Sequence, residues 1–166
     1  MFHAGENVVY GTHGVCTVLG TEVRKIDGRS VEYYVLEPHS QSAAKYYVPT
    51  HNLAALAKMR GLISSDALHE LLHSEEVRRD CWVEDENKRK LLYRELIASG
   101  DRERLLQIVY TLHCRKKELA LFGKRIHQCD ENFLSDAQKL LNEEFSFVLQ
   151  IPIQAIGEYI ANIFEK

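Results

Sequence analysis

The first fifty residues constrain the fold most. Between Met1 and Pro49, apolar and polar residues alternate in short runs that glycines repeatedly interrupt. Alternation with a period of two is the mark of a strand with one buried face. Runs this short cannot build a wide sheet. They predict four or five strands curled into a small SH3-like or Tudor-like barrel over about residues 1–58. Residues 8–10 form a short strand, and Gly11-Thr12-His13-Gly14 a turn. A longer strand follows at 15–23, with Gly20 as a bulge or sharp bend. Asp27-Gly28 is the signal of a tight hairpin, returning through a Val- and Tyr-rich strand at 31–36. Residues 38–42 read as loop and 45–48 as the next strand, which Pro49 ends because proline cannot donate to the ladder.

Helix formers then take over. Ser64-Ser65-Asp66 offers a helix start, with Ala67, Leu68, Leu71 and Leu72 as an apolar stripe. A second helix is expected over 83–98, turning Leu91, Leu92, Leu96 and Ile97 inward. In Ser99-Gly100-Asp101, Gly100 suits the left-handed end of one helix and Asp101 caps the next. Leu105, Ile108, Val109 and Leu112 recur at helical spacing. Gly123 weakens helix between 122 and 129. Asp130 or Glu131 starts a fourth helix, with Phe133, Leu134, Ala137, Leu140, Leu141 and Phe145 on one face. Pro152 occupies a first-turn position of a last helix, with Ile153, Ile156, Tyr159, Ile160 and Ile163 inward. The fold class is therefore α+β. A barrel domain (1–58) is followed by a linker with a linker helix (59–82) and a bundle (83–166), with about five helices in all.

Hydrophobic residues make up 45% of the 166, enough to bury a core in each domain. The formal net charge is −3, so any nucleic-acid contact must come from a local patch. Cys16, Cys81, Cys114 and Cys129 show no C-x-x-C spacing, which argues against a zinc ribbon or a thioredoxin-type site. No apolar run of membrane-spanning length and no export signal is apparent, so a cytoplasmic protein with idle thiols, no cofactor and no membrane partner is expected.

Several residues could carry chemistry. Trp82 is the single Trp, flanked by Arg78, Arg79, Asp80, Glu84, Asp85 and Glu86. The residues alone leave two readings of it open: a ring packing its loop onto a core, or a flat apolar wedge between base steps with cations on the phosphates. Lys88-Arg89-Lys90 and Arg94 form one basic group. Residues 102–125 hold another: Arg102, Arg104, Arg115, Lys116, Lys117, Lys124 and Arg125 against Glu103 and Glu118. Such side chains can hold phosphates without reading sequence, or they are an ordinary solvated helix face. His69-Glu70-Leu71-Leu72-His73 matches the zinc-hydrolase pattern H-E-x-x-H. A catalytic zinc also needs a third protein ligand, for which Glu95 is the one candidate. The alternative of a zinc metallohydrolase rests on that motif alone. Tyr10, Tyr33, Tyr34, Tyr46 and Tyr47 could line an aromatic cage, though barrel packing accounts for them better. His13 is expected to stabilise its turn.

Taken together, the motifs resemble the CarD (CdnL) family of bacterial transcription regulators. The resemblance rests on Phe2-x-x-Gly5-x-x-Val8-Val9-Tyr10-x-x-His13-Gly14-Val15, Tyr33-Tyr34-Val35-Leu36, Val48-Pro49 and Leu62-Ile63-Ser64. It continues through Ser99-Gly100-Asp101 and Ala137-x-x-Leu140-Leu141-x-x-Glu144. It implies a non-catalytic protein, expected to be a monomer. The barrel would dock on the β subunit of bacterial RNA polymerase. The helical domain would contact promoter DNA at the upstream edge of the bubble, in the minor groove and without sequence reading, where a Trp wedge helps keep the promoter open. By that resemblance Arg24 occupies a basic polymerase-contacting position. The second such position is Tyr47 here, with Lys45 sharing its face. Trp82 is the natural wedge, about one helical turn earlier than in many members, and Lys88 and Arg89 match the basic pair that follows it. Arg115, Lys116, Lys117, Lys124 and Arg125 would complete the DNA-facing set. The alternative within the interaction class is an adaptor that binds polymerase or another protein without touching DNA.

Overall fold

Short antiparallel ladders build the amino-terminal part of the chain. The computed structural model describes residues 1–41 and 43–166; Ser42, the end of the loop expected at 38–42, lies outside the described residues. The chain divides into two compact units, Met1–Leu62 and Ile63–Lys166. In the first, β1 (Asn7–Tyr10), β2 (Val15–Ile26), β3 (Arg29–Pro38), β4 (Tyr46–Pro49) and β5 (Met59–Gly61) form one sheet in the order β4-β3-β2-β1-β5. All pairings are antiparallel. A single turn of helix, α1 (Leu53–Leu56), connects β4 to β5, capped by the Asn52 side chain accepting from the Ala55 N–H.

The β2–β3 hairpin turns where the Asp-Gly signal placed it. Asp27 and Gly28 both have positive φ, 50° and 78°, as a twist-matched two-residue turn requires. The register shifts between Val18 and Gly20, leaving Leu19 as the extra residue of a bulge. Val8, Cys16, Val18, Tyr34, Leu36, Val48 and Met59 form one buried cluster on the inner face. Because partnered residues share a face, Glu22, Arg24, Val31, Tyr33, Tyr47 and Pro49 all lie on the opposite face. Two expectations are corrected. β2 runs on to Ile26, so Arg24 lies within the strand rather than after it. Residues 59–61, read as linker, are the fifth strand, paired to β1. Three residues are too few to show alternation, which is why the sequence did not display them.

The second unit contains α2 (Ser65–His73), a 3-10 turn (Glu76–Arg78), α3 (Glu86–Ser99), α4 (Arg102–Ala120), α5 (Gln128–Leu149) and α6 (Ile153–Phe164). Its core joins Leu68 and Leu72 of α2 to Tyr93 of α3, Leu105, Ile108 and Leu112 of α4, Phe133, Leu141 and Phe145 of α5, and Ile156 and Ile160 of α6. The stretch 59–82 is thus shared between the units, and the helix expected to be a linker buries Leu68 and Leu72 of its apolar stripe in this core, with Leu71 partly buried and Ala67 exposed. α3 starts at Glu86, not 83, because Asp85 accepts from the Lys88 N–H at 2.9 Å and ends the preceding loop. Leu91 and Ile153, expected inward, are exposed, and α3 buries Arg89 and Tyr93 instead. α5 starts at Gln128, which puts Asp130 inside the helix and buries it. Pro152 is the capping residue of α6, one position before its first turn.

Gly100 closes α3 in the left-handed conformation with φ 65°, and Asp101 caps α4 by accepting from the Arg104 N–H at 2.9 Å. Asp101→Ala is expected to cost about 1 kcal/mol of stability, read from denaturant midpoints. Glu144, 1% exposed, accepts from the Ile63 N–H and from the Arg102 guanidinium, tying the entry of the unit and the start of α4 to α5. No single helix is long and apolar enough to cross a membrane among the described residues.

Candidate functional site

Each unit places its own candidate residues. On the outer face of the sheet, the Arg24 guanidinium lies 3.6 Å from the centre of the Tyr47 ring. It also donates to Glu22 Oε1 at 2.9 Å, a hydrogen bond that holds its pKa above the ordinary arginine value. Tyr33 meets Tyr47 edge to face at 6.4 Å. The alternation of β2, β3 and β4 brings these side chains together, since Glu22 opposes Tyr33 and Tyr47 sits one strand further on. Tyr47 adds no charge of its own, and its ring supports the Arg24 cation. β4 is an outer strand of the sheet, with no second strand partner among the described residues. Lys45 is exposed immediately before it. The five tyrosines do not converge on a cage. Tyr34 is buried on the inner face against Phe2. Tyr10 stacks on His13 at 5.3 Å and Tyr46 meets the same ring at a tilt, 4.3 Å away, which braces the β1–β2 turn.

In the second unit Trp82 lies in the loop ahead of α3, partly buried and packed on the helical core. Two guanidinium groups approach its ring, Arg89 at 4.0 Å and Arg115 at 4.8 Å from the centre. Its backbone N–H donates to Asp80 Oδ1 at 2.9 Å. Arg89 is not a solvent-facing cation. It is 2% exposed and forms a two-pronged pair with Asp130 of α5, Nε to Oδ1 and Nη2 to Oδ2, both 3.0 Å. Its third nitrogen donates to the Val83 carbonyl at 2.7 Å. The Asp130 carboxylate holds its pKa above the usual arginine value. Its expected role as a phosphate contact is corrected: Arg89 anchors the Trp82 loop from within. Beside it, burial pushes the Cys81 thiol and the Tyr93 phenol up, so both stay protonated, with the Tyr93 hydroxyl 3.9 Å from Cys81 Sγ.

The basic segment is less basic in the fold than in the sequence. Arg102 is paired with buried Glu144, Lys116 with Glu131 at 2.9 Å and Lys117 with Glu165 at 3.0 Å. Arg115 lies 3.3 Å from Glu118 and 3.7 Å from Asp80. Lys88, Lys124 and Arg125 are exposed, with no acidic partner among the described residues. Apart from the Arg115–Glu118 pair within α4, these pairings join residues that sequence order keeps far apart, so no local signal could reveal them. Three of the acids around Trp82 are engaged as well. Asp85 caps α3, Glu86 pairs with Lys90 and Asp80 holds the Trp82 loop.

His69 and His73 lie on one exposed face of α2, their rings 4.4 Å apart, and His73 Nδ1 is 2.8 Å from the His69 carbonyl. No three His, Cys, Asp or Glu side chains form a metal-holding group among the described residues. The third ligand that a zinc hydrolase needs is thus not assembled around this motif.

Residues 2–63 match the family model described as the CarD-like/TRCF RID domain, a span that coincides with the sheet unit and its exit. It is thus the amino-terminal unit that is similar to CarD-like RNA polymerase-interacting domains.

Proposed function

We propose that this protein is a non-catalytic transcription regulator that docks on the polymerase β subunit and lays its helical unit on promoter DNA. The observation that carries the first half is the Arg24–Tyr47 cluster beside the outer strand β4 in the family-matched unit. An outer strand can accept a partner strand through main-chain hydrogen bonds, and a fixed cation beside it supplies specificity. Lys45 adds a second positive charge at the same edge. The second half rests on Trp82, an aromatic ring with Arg115 beside it and Lys88 on the next helix. That combination suits a wedge at a widened minor groove with cations on the phosphates. Lys124 and Arg125 supply further contacts to the backbone, whereas Arg115, Lys116 and Lys117 would first have to leave their carboxylates. Binding in this arrangement follows shape rather than sequence. Tethering to polymerase offsets the weak affinity that a net charge of −3 allows.

The ion pairs that neutralise much of the 102–125 segment favour a second reading, an adaptor that binds polymerase and leaves DNA untouched.

The first half is tested by binding the full chain to the isolated amino-terminal lobe of a bacterial polymerase β subunit, with Arg24→Glu in parallel. Saturable binding is expected, weakened at least about tenfold by the charge reversal, which sets a carboxylate beside Glu22 and removes the cation from Tyr47. A wild-type chain that fails to bind would remove the polymerase reading.

A further inference from the structure

One cavity of the helical unit, about 410 Å³, lies among α4, α5 and α6, and the proposed polymerase and DNA contacts do not explain it. Its size falls in the range of small-molecule sites. Val109, Leu134, Leu141, Ile160 and Phe164 are the large apolar side chains of its wall. Two residues in that wall are polar and incompletely satisfied by the protein. His113 Nε2 and Asn142 Oδ1 are both buried and find no hydrogen-bond partner among the described residues. The nearest carboxylate to His113 is Glu165, with Oε1 3.8 Å away, beyond hydrogen-bond reach. Buried polar atoms of this kind are uncommon, and each one costs stability unless something pairs with it.

The wall also contains a glycine that the helix does not need. Gly157 lies inside α6, where glycine weakens a helix relative to alanine. A Cβ built there meets nothing within 4 Å, so close packing does not demand its small size. With Ala120 and Ala161 it keeps the space open.

We infer that this cavity binds an uncharged, mostly apolar small molecule bearing a hydroxyl group, seated between Gly157 and the His113–Asn142 pair. A hydroxyl both donates and accepts, so it can serve the Asn142 carbonyl oxygen and the His113 ring together. The apolar wall accepts the rest of the molecule. Charge argues against a carboxylate. The two lysines in the wall, Lys116 and Lys117, are already paired with Glu131 and Glu165. Burial, with Lys117 nearby, also lowers the pKa of His113 and keeps the ring neutral.

The test uses the full chain with 1-octanol as probe and octanoate as its charged counterpart, followed by methyl NMR. Octanol is expected to give saturable shifts at the methyls of Val109, Leu134, Leu141 and Ile160, and octanoate to bind at least tenfold more weakly. Gly157→Leu is expected to fill the cavity, raise the melting temperature and abolish the octanol shifts. Asn142→Leu, an independent variant of the same branched shape without the polar atoms, should weaken octanol at least tenfold while the chain stays folded. Absence of saturable shifts at these methyls would overturn the inference, as would octanol binding unchanged in Gly157→Leu. Octanoate binding as tightly as octanol would overturn the uncharged class.

Discussion

Asp130→Ala is expected to destabilise the helical unit by about 3–5 kcal/mol, the cost typical of removing one partner from a buried ion pair. A domain stability of about 5–15 kcal/mol makes that a large fraction of the total. The cost comes from what is left behind. Arg89 stays charged and 2% exposed, with the two N–H groups that met the carboxylate at 3.0 Å now unpaired. The pair links α3 to α5 across 41 residues of sequence, so its loss also loosens the loop that Arg89 holds through the Val83 carbonyl. Denaturant unfolding followed by the fluorescence of the single Trp measures both effects, because Trp82 lies 4.0 Å from the same guanidinium. Asp130→Asn should lose less, since the amide keeps one acceptor. The double variant Arg89→Met with Asp130→Leu should recover most of the stability, as apolar replacements of buried pairs often do, while still altering the Trp82 emission. A loss below about 1 kcal/mol in Asp130→Ala would mean that water reaches Arg89 and that the pair does not anchor the loop.

The sequence exposed those features whose causes are local. The Asp27-Gly28 turn, the Gly20 bulge and the Gly100-Asp101 junction each depend on one or two residues with unusual backbone or capping preferences, and they stand where those residues stand. The alternation of β1 to β4 was equally readable because one face of each is buried. What failed did so for tertiary reasons. An arginine in a helix reads as solvated, and nothing near Arg89 announces that Asp130, far along the chain, will bury it. Leu91 reads as core, yet α3 turns Tyr93 and Arg89 inward and leaves Leu91 in water. The charge of the 102–125 segment is a sum over sequence. The field it projects depends on Glu131, Glu144 and Glu165, which lie on other helices or beyond the last one. Among the candidate site residues, Arg24 and Trp82 stand out in the sequence by type and by resemblance. Their supports, Tyr47 beneath one and Arg89 and Arg115 beside the other, became legible only through strand register and helix packing.

The second large effect is expected at Trp82. If Trp82 is the wedge, Trp82→Ala should shorten the lifetime of open promoter complexes about tenfold, which corresponds to about 1.4 kcal/mol lost from the barrier to collapse. That loss lies within the roughly 1–3 kcal/mol that stacking one base on an aromatic ring is worth, so a single inserted ring can supply it. Binding to the polymerase β lobe should be unchanged, because Arg24 and Tyr47 belong to the other unit. The folded state should survive, since the ring is only partly buried and most of the core lies elsewhere. Arg115→Ala separates the wedge from its cation. It should weaken DNA contact similarly across sequences and lower the salt dependence by about one phosphate, with a smaller change in lifetime. Trp82→Phe should retain part of the effect, because a smaller ring still inserts. If the lifetime is unchanged in Trp82→Ala while Arg24→Glu removes all regulation, the protein acts through polymerase alone. The Trp82 cluster is then a structural lock on the α3 entry, and the neutralised cations of α4 are the reason DNA is left untouched.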